Sequence, residues 1–194
     1  MLDTKAREHV QPIFDKVANF FINRKISATK VTILALIVGI IASLFLFFEY
    51  KYLALAFLWI SGFLDVLDGT IARKTSSKTK LGGFLDIIFD RIVEIGIIFA
   101  LCLLNKELSL CCVFLLGAII MSMTIFLTSG ALIDKDSSKA FYYQTGLAER
   151  TEGFIMLSLA MIFETFAMIF LVIFACIVYF TAIQRFVETV KYLK

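Results

Sequence analysis

The chain has 194 residues, 60% of them hydrophobic and 18% charged, and a mean hydropathy of +0.92. So few charges exclude an ordinary soluble globule, where roughly a quarter of residues are charged, and point to an integral membrane protein with no length left for a second, soluble domain. The net charge of +3 is too modest for a nucleic-acid binder, and no nucleic-acid motif accompanies it.

The N-terminal stretch is too polar for a secretory leader, and no small-residue cleavage site follows the first apolar run, which is therefore expected to remain in the mature protein. Its His9 is the single histidine, and a solvated position there leaves general-base chemistry to carboxylates. From Pro12 onward, Ile13, Phe14, Val17, Phe20 and Phe21 recur at helical spacing, with Asp15, Lys16 and Asn19 on other faces. That pattern predicts an amphipathic helix over residues 12–22 lying in the membrane interface, with Pro12 in its first turn; the alternative is a membrane-proximal tail.

Six apolar stretches follow, at about residues 31–48, 52–73, 81–104, 108–133, 151–163 and 165–190. The predicted fold is all-α: a cytosolic or interfacial segment, residues 1–30, then a catalytic domain of six transmembrane helices, residues 31–194. The fifth span is short unless it begins near residues 142–147. Cys102, Cys111, Cys112 and Cys176 lie in or beside these stretches without a C-x-x-C pair, and are expected as small packing residues. The lone proline, Pro12, leaves every span free of proline kinks.

Basic residues mark one side of the membrane. Lys5, Arg7, Lys16, Arg24, Lys25 and Lys30 precede the first span, Arg73, Lys74, Lys78 and Lys80 lie between the second and third, and Lys135, Lys139 and Arg150 lie between the fourth and fifth. Only Lys51 and Lys106 fall opposite, so both termini and the 74–80 loop are expected in the cytosol, with the protein multi-pass in the cell membrane.

Against this apolar background stands one frame, Asp65-x2-Asp68-Gly69-x2-Ala72-Arg73-x8-Gly82-x3-Asp86-x3-Asp90. A charge near the bilayer centre costs roughly 2.5 kcal/mol or more, so four acids on neighbouring helices require a compensating cation. Asp65 and Asp68 are three apart and Asp86 and Asp90 four apart, so each pair projects from one helix face. All-oxygen ligation without histidine or thiolate favours Mg²⁺, Mn²⁺ or Ca²⁺ over Zn²⁺. Gly69, Ala72 and Gly82 remove bulk one turn from the acids, and Arg73 adds a fork suited to phosphate. Acids, metal and arginine together describe a pyrophosphate site.

At these residues the chain resembles the CDP-alcohol phosphatidyltransferase family, whose signature has this order and spacing with every position filled. The resemblance implies one or two Mg²⁺ or Mn²⁺ ions on Asp65, Asp68 and Asp86. It implies Asp90 as the base activating the acceptor hydroxyl and as a further metal contact, and Gly69, Ala72, Arg73 and Gly82 as the cradle of the CDP group. It further implies a homodimer that transfers a phosphatidyl group from CDP-diacylglycerol or a related CDP-lipid to a polar alcohol, with CMP leaving. Before the first span the family often has a proline-asparagine pair ahead of a threonine. Here the sequence is Ala28-Thr29-Lys30-Val31-Thr32, and only Thr32 fits as a nucleotide contact.

A second tract, Gly146-Leu147-Ala148-Glu149-Arg150, resembles that of the branch using inositol phosphate, in which the arginine belongs to the acceptor pocket. Ser129, however, is followed by Gly130-Ala131-Leu132-Ile133-Asp134-Lys135 instead of several basic residues, which counts against that acceptor. Arg150 either binds an acceptor phosphate or pairs with Glu149 or Glu152. Arg91 either faces the acceptor or neutralises excess acid, and Glu94 continues the Asp86–Asp90 face by another turn, either in a structural hydrogen bond, the favoured reading, or as a metal ligand. Inositol phosphate and glycerol phosphate are the specific alternatives within the same chemistry. Outside it stand an intramembrane cation transporter and a noncatalytic CDP-lipid-binding protein.

Overall fold

The computed structural model describes residues 2–132 and 150–193, the side chains of residues 2–10 excepted. Every regular element among them is helical: α1 (Leu2–Asn23), α2 (Ala28–Phe47), α3 (Lys51–Lys74), α4 (Lys80–Leu104), α5 (Ser109–Leu132), α6 (Arg150–Ile162) and α7 (Ala167–Leu193), with short 3₁₀ turns before α5 and α7. The apolar stretches end within a few residues of where hydropathy places them, because charged or turn-forming residues bound each one. Lys106–Leu132 and Glu164–Leu193, together with α2 and α3, are long and apolar enough to cross a membrane, so this is a multi-pass membrane protein. At 25 residues α4 is as long, but it carries Asp86, Asp90, Arg91 and Glu94. The 142–147 start considered for the fifth span lies outside the described residues.

One local expectation is corrected. Pro12 does not open the first helix; it sits inside α1, which begins at Leu2. Lys5, Ala6, Arg7 and Glu8 are strong helix formers, and an exposed proline costs the helix one backbone hydrogen bond without blocking those upstream turns.

Three successive connections share one geometry. Two positions past the end of α1, α2 and α3 stands a residue with positive φ, namely Lys25 (58°), Glu49 (65°) and Ser76 (51°). At each end the next N–H reaches back to the carbonyl five residues earlier: Ile26 to Phe21 at 3.0 Å, Tyr50 to Phe45 at 2.9 Å, Ser77 to Ala72 at 3.0 Å. These are Schellman closures built without glycine, so each residue carries the strain of a left-handed Cβ.

The described helices group into two compact units. In the first, Thr4–Lys106, α2 packs against both α3 and α4. Its contact stripe is small: Ala35, Gly39 and Ala42 are buried, and the Ser61 hydroxyl of α3 donates to the Ala35 carbonyl at 2.8 Å. A Cβ at Gly39 would lie 2.3 Å from a Val93 methyl and 2.9 Å from Ser61 Oγ, and one at Gly96 would lie 2.6 Å from Ser43 Oγ. Such close backbone approach lets dispersion and hydrogen bonding hold helices together where lipid gives no hydrophobic drive.

Near the α3 C-terminus, Ala18 of α1 joins Val31, Ala35, Leu64, Leu67 and Ile71 in a buried cluster, with Phe14, Val17, Phe21 and Ile22 against it. Phe14 stacks on Phe63 at 4.9 Å. The Gln11 amide first, and then Lys74, holds the Asp15 carboxyl below the usual carboxylate range. Because that value is depressed, the Lys74–Asp15 pair persists at neutral and mildly acid pH and is lost only as pH falls below that range.

The second unit comprises Met1–Asp3 and Glu107–Lys194, in which α5 and α6 both pack on α7. Leu115, Ala118, Leu157, Leu171 and Ala175 are buried there, and Phe114 meets Tyr179 at 5.1 Å.

The α2 stripe yields the first prediction. Gly39→Ala forces Val93 aside in a packed contact and is expected to cost about 1–3 kcal/mol, read as a lower midpoint in thermal unfolding in detergent. Gly83→Ala, with nothing within 4 Å of its added Cβ, is the control that should leave the midpoint unchanged.

Candidate metal and nucleotide site

The Thr4–Lys106 unit contains the whole aspartate frame. Leu64, Leu67 and Ile71 are buried on one face of α3, which fixes the helix rotation and places Asp65 and Asp68 on the adjoining face. α3 and α4 are joined by the short 75–79 turn, and Asp68 and Asp86 lie at matching depths of about 9 Å along their helices from it, at 1.5 Å rise per residue. Equal depth brings opposite sides of the hairpin together. One carboxylate oxygen each from Asp65, Asp68 and Asp86 lies within 4.8 Å of the others, Asp68 being buried and the other two half-buried.

That spacing fits a cation. Oxygens bound to Mg²⁺ at about 2.1 Å stand roughly 3 to 4 Å apart, and the longer bonds of a larger cation open this further. Three hard anionic donors suit Mg²⁺ or Mn²⁺, and a cation among them offsets their mutual repulsion. Asp90 lies one turn further along α4, half-buried, and is not in the three-acid group. Glu94, buried another turn on, is ion-paired to Arg91. The neutralising reading of Arg91 thus has a contact behind it.

The glycines and Arg73 are placed by local geometry. The Arg73 guanidinium folds back along α3, its Nη2 donating to Thr70 Oγ1 at 2.9 Å, and a Cβ at Gly69 would stand 3.3 Å from its Nη1. Gly69 therefore gives the guanidinium the space it occupies. Arg73 and Ala72 line an open concavity of about 360 Å³ with Ser76 and Lys78. Gly82 serves the start of α4: its N–H donates to the Thr79 hydroxyl at 3.0 Å, capping the helix, and a Cβ there would come 3.2 Å from that oxygen. Thr32 is buried one turn into α2, its hydroxyl donating to the Ala28 carbonyl at 3.1 Å.

In the second unit, Arg150 is the first described residue of α6, with its guanidinium 5.2 Å over the Phe154 ring. Gly146 to Glu149, Lys135 and Lys139 lie outside the described residues. One residue is absent from the sequence reading. Arg185 sits on α7 with its guanidinium 5.2 Å over the Phe126 ring of α5. One turn on, buried Thr189 shares a 2.8 Å hydrogen bond with Ser129 and donates to the Arg185 carbonyl at 2.8 Å. Its sequence signal was a lone arginine inside the last apolar stretch, where a cation needs a reason.

Residues 25–188 match the profile of the CDP-alcohol phosphatidyltransferase family. An archaetidylinositol phosphate synthase of Pyrococcus horikoshii is 28% identical over 98% of both chains. A second synthase of that name, from Methanothermobacter thermautotrophicus, is 30% identical over 97% of this chain and 92% of its own. The fold is shared with the Mycobacterium tuberculosis phosphatidylinositol phosphate synthase solved with CDP-DAG bound, at a TM-score of 0.76 and 19% identity, covering 92% of this chain and 94% of that one. The same mycobacterial protein in complex with manganese and citrate gives 0.75 at 20% identity, covering 91% and 88%.

Because the atom in the way at Gly69 is the far end of a flexible side chain, Gly69→Ala displaces the arginine and not the backbone. It is expected to leave the unfolding midpoint within about 2 °C and to weaken CDP binding about tenfold, measured by calorimetry.

Proposed function

The chain belongs to the CDP-alcohol phosphatidyltransferase family, and from that premise we propose how its own residues divide the reaction. It is an enzyme of phospholipid biosynthesis that transfers a phosphatidyl group from a CDP-linked lipid to an alcohol, with release of CMP. The observation that carries the assignment of roles is the three-acid group of Asp65, Asp68 and Asp86 within 4.8 Å, with Asp90 outside it.

In this reading Asp65, Asp68 and Asp86 hold one or two Mg²⁺ or Mn²⁺ ions, with Asp90 within reach as a further contact. Bound metal supplies charge stabilisation for the pyrophosphate oxygens and the CMP leaving group. Arg73, with Ala72, Gly69 and Gly82 leaving room at the backbone, orients the CDP moiety of CDP-diacylglycerol or a related CDP-lipid. Thr32, whose hydroxyl donates to the Ala28 carbonyl, serves as a nucleotide contact by accepting a hydrogen bond on the same oxygen. Asp90 takes the acceptor hydroxyl proton, the acceptor oxygen bonds to the lipid-linked phosphorus, and the bond from that phosphorus to the CMP oxygen breaks.

The acceptor we propose is inositol phosphate. Two relatives matched over nearly their whole length carry the name archaetidylinositol phosphate synthase, and Arg150 on α6 and Arg185 in the C-terminal half of α7 are the cations we assign to the acceptor. In this reading both guanidinium groups serve the acceptor phosphate. Arg185 answers the shortage of basic residues after Ser129: the cation comes from α7, on the helix that hydrogen-bonds Ser129.

Around this chemistry we place six transmembrane helices, residues 31–194, behind an interfacial segment, residues 1–30, with both termini and the site on the cytosolic side. The lysines and arginines before α2 and between α3 and α4 support that orientation. A homodimer completes the proposal on the family resemblance.

Purified protein with Mg²⁺ or Mn²⁺ and CDP-diacylglycerol is expected to release CMP with inositol phosphate, faster than with glycerol phosphate, serine or free inositol, and to stop when metal is chelated. Metal flux across sealed vesicles without nucleotide would instead return the transporter reading. Asp90→Asn should lower kcat by about 10³ and leave CDP affinity within about threefold, and unchanged turnover would remove Asp90 as the base. Arg150→Met and Arg185→Met should each raise the KM for inositol phosphate about tenfold or more without changing the KM for the CDP-lipid.

A further inference from the structure

Lys74 follows the signature arginine directly and ends α3, yet its ammonium is committed to a helix far away in sequence. Its Nζ lies 3.3 Å from Asp15 Oδ1, donates to the Asp15 carbonyl at 3.2 Å and donates to Asn19 Oδ1 at 3.0 Å. An ammonium has three donors, and here three acceptor atoms on one turn of α1 surround it. The receiving turn is fixed in its place: Ala18, between Asp15 and Asn19 on the next face, is fully buried against α2 and α3, and the Gln11 amide donates to Asp15 Oδ1 at 3.1 Å.

What lies beyond Lys74 needs holding. The chain reverses through Ser76, whose positive φ of 51° is unfavourable for a residue with a side chain. The closure depends on the Ser77 N–H reaching the Ala72 carbonyl at 3.0 Å and the Ser76 N–H reaching the Arg73 carbonyl at 3.4 Å. Ala72 and Arg73 are the two signature residues that line the open concavity with Ser76 and Lys78. Fraying of this last turn would take the nucleotide cradle with it, and helix termini are where fraying begins.

We propose that Lys74 is a positioning residue: by tying the last turn of α3 to Asp15 and Asn19 of α1 it keeps Ala72 and Arg73 in the geometry that receives the donor nucleotide. The proposal deepens the transferase reading and rests on it for its kinetic consequence. It also gives α1 a task beyond membrane attachment, as the fixed support of the nucleotide side of the site. Lys74 touches no substrate in this arrangement; it acts through its neighbour.

Two measurements on the full-length protein in detergent test it. In hydrogen exchange, the Ser76 and Ser77 amides should exchange about tenfold faster in Lys74→Met and in Asp15→Asn than in the wild type, with Lys74→Arg restoring most of the protection. In kinetics with CDP-diacylglycerol, the same two variants should raise the KM for the CDP-lipid about fivefold with kcat within about twofold, and the double variant should be no worse than either single one. Unchanged exchange at Ser76 and Ser77 overturns the proposal whatever the activity, and so does a fall in kcat at unchanged KM. A wild type that turns over no CDP-lipid sinks the transferase reading alone, because the exchange arm still decides whether Lys74 holds the turn.

Discussion

Three carboxylates with oxygens within 4.8 Å of one another do not hold that spacing by themselves. Their repulsion opposes it, and the rest of the Thr4–Lys106 unit is built to overcome that opposition. α2 supplies the frame. By presenting Ala35, Gly39 and Ala42 it lets both α3 and α4 approach closely, and a hydrogen bond from Ser61 and the Val93 contact set how each is rotated. The acids are positioned by the faces opposite them, since Leu64, Leu67 and Ile71 turn Asp65 and Asp68 to one side as they pack inward. Precision at a polar site is thus made by apolar packing, which has sharper minima than a carboxylate has for its own orientation.

The same unit relies on strained ends. Lys25, Glu49 and Ser76 each take the left-handed conformation that glycine would take without cost, and each closes a helix within a few residues. The short closure at Ser76 leaves Asp68 and Asp86 each six residues from the turn, and so at equal depth. The strain sits in the turns and is offset by the packing of the helices on either side.

Much of this was legible in the residues themselves. The spans are bounded by charges and turn formers, so their ends were readable, and the aspartate frame stood out because a membrane segment has so few reasons to contain an acid. The Asp65, Asp68 and Asp86 group follows from i, i+3 spacing and a short turn. Less visible were features that depend on tertiary placement. Pro12 reads as a helix start from local preference, but the upstream residues continue the helix through it. Lys74 reads as one more cytosolic lysine, because nothing in a linear pattern pairs it with Asp15. Arg185 was hidden by its surroundings: a single cation in an apolar run has no spacing partner, and its relation to Ser129 arises only when α5 and α7 pack.

The contact between α2 and α4 is reciprocal: α4 lodges Val93 over Gly39 of α2, and α2 lodges Ser43 over Gly96 of α4. A helix that carries both a knob and a hole against the same partner cannot travel along it like a piston, because each knob would have to climb out of its hole at the same moment. Relative motion of these two helices is therefore confined to rocking about the lodged pair. Asp86 and Asp90, carried on the same α4, therefore keep their level along α2 when the two helices tilt against each other.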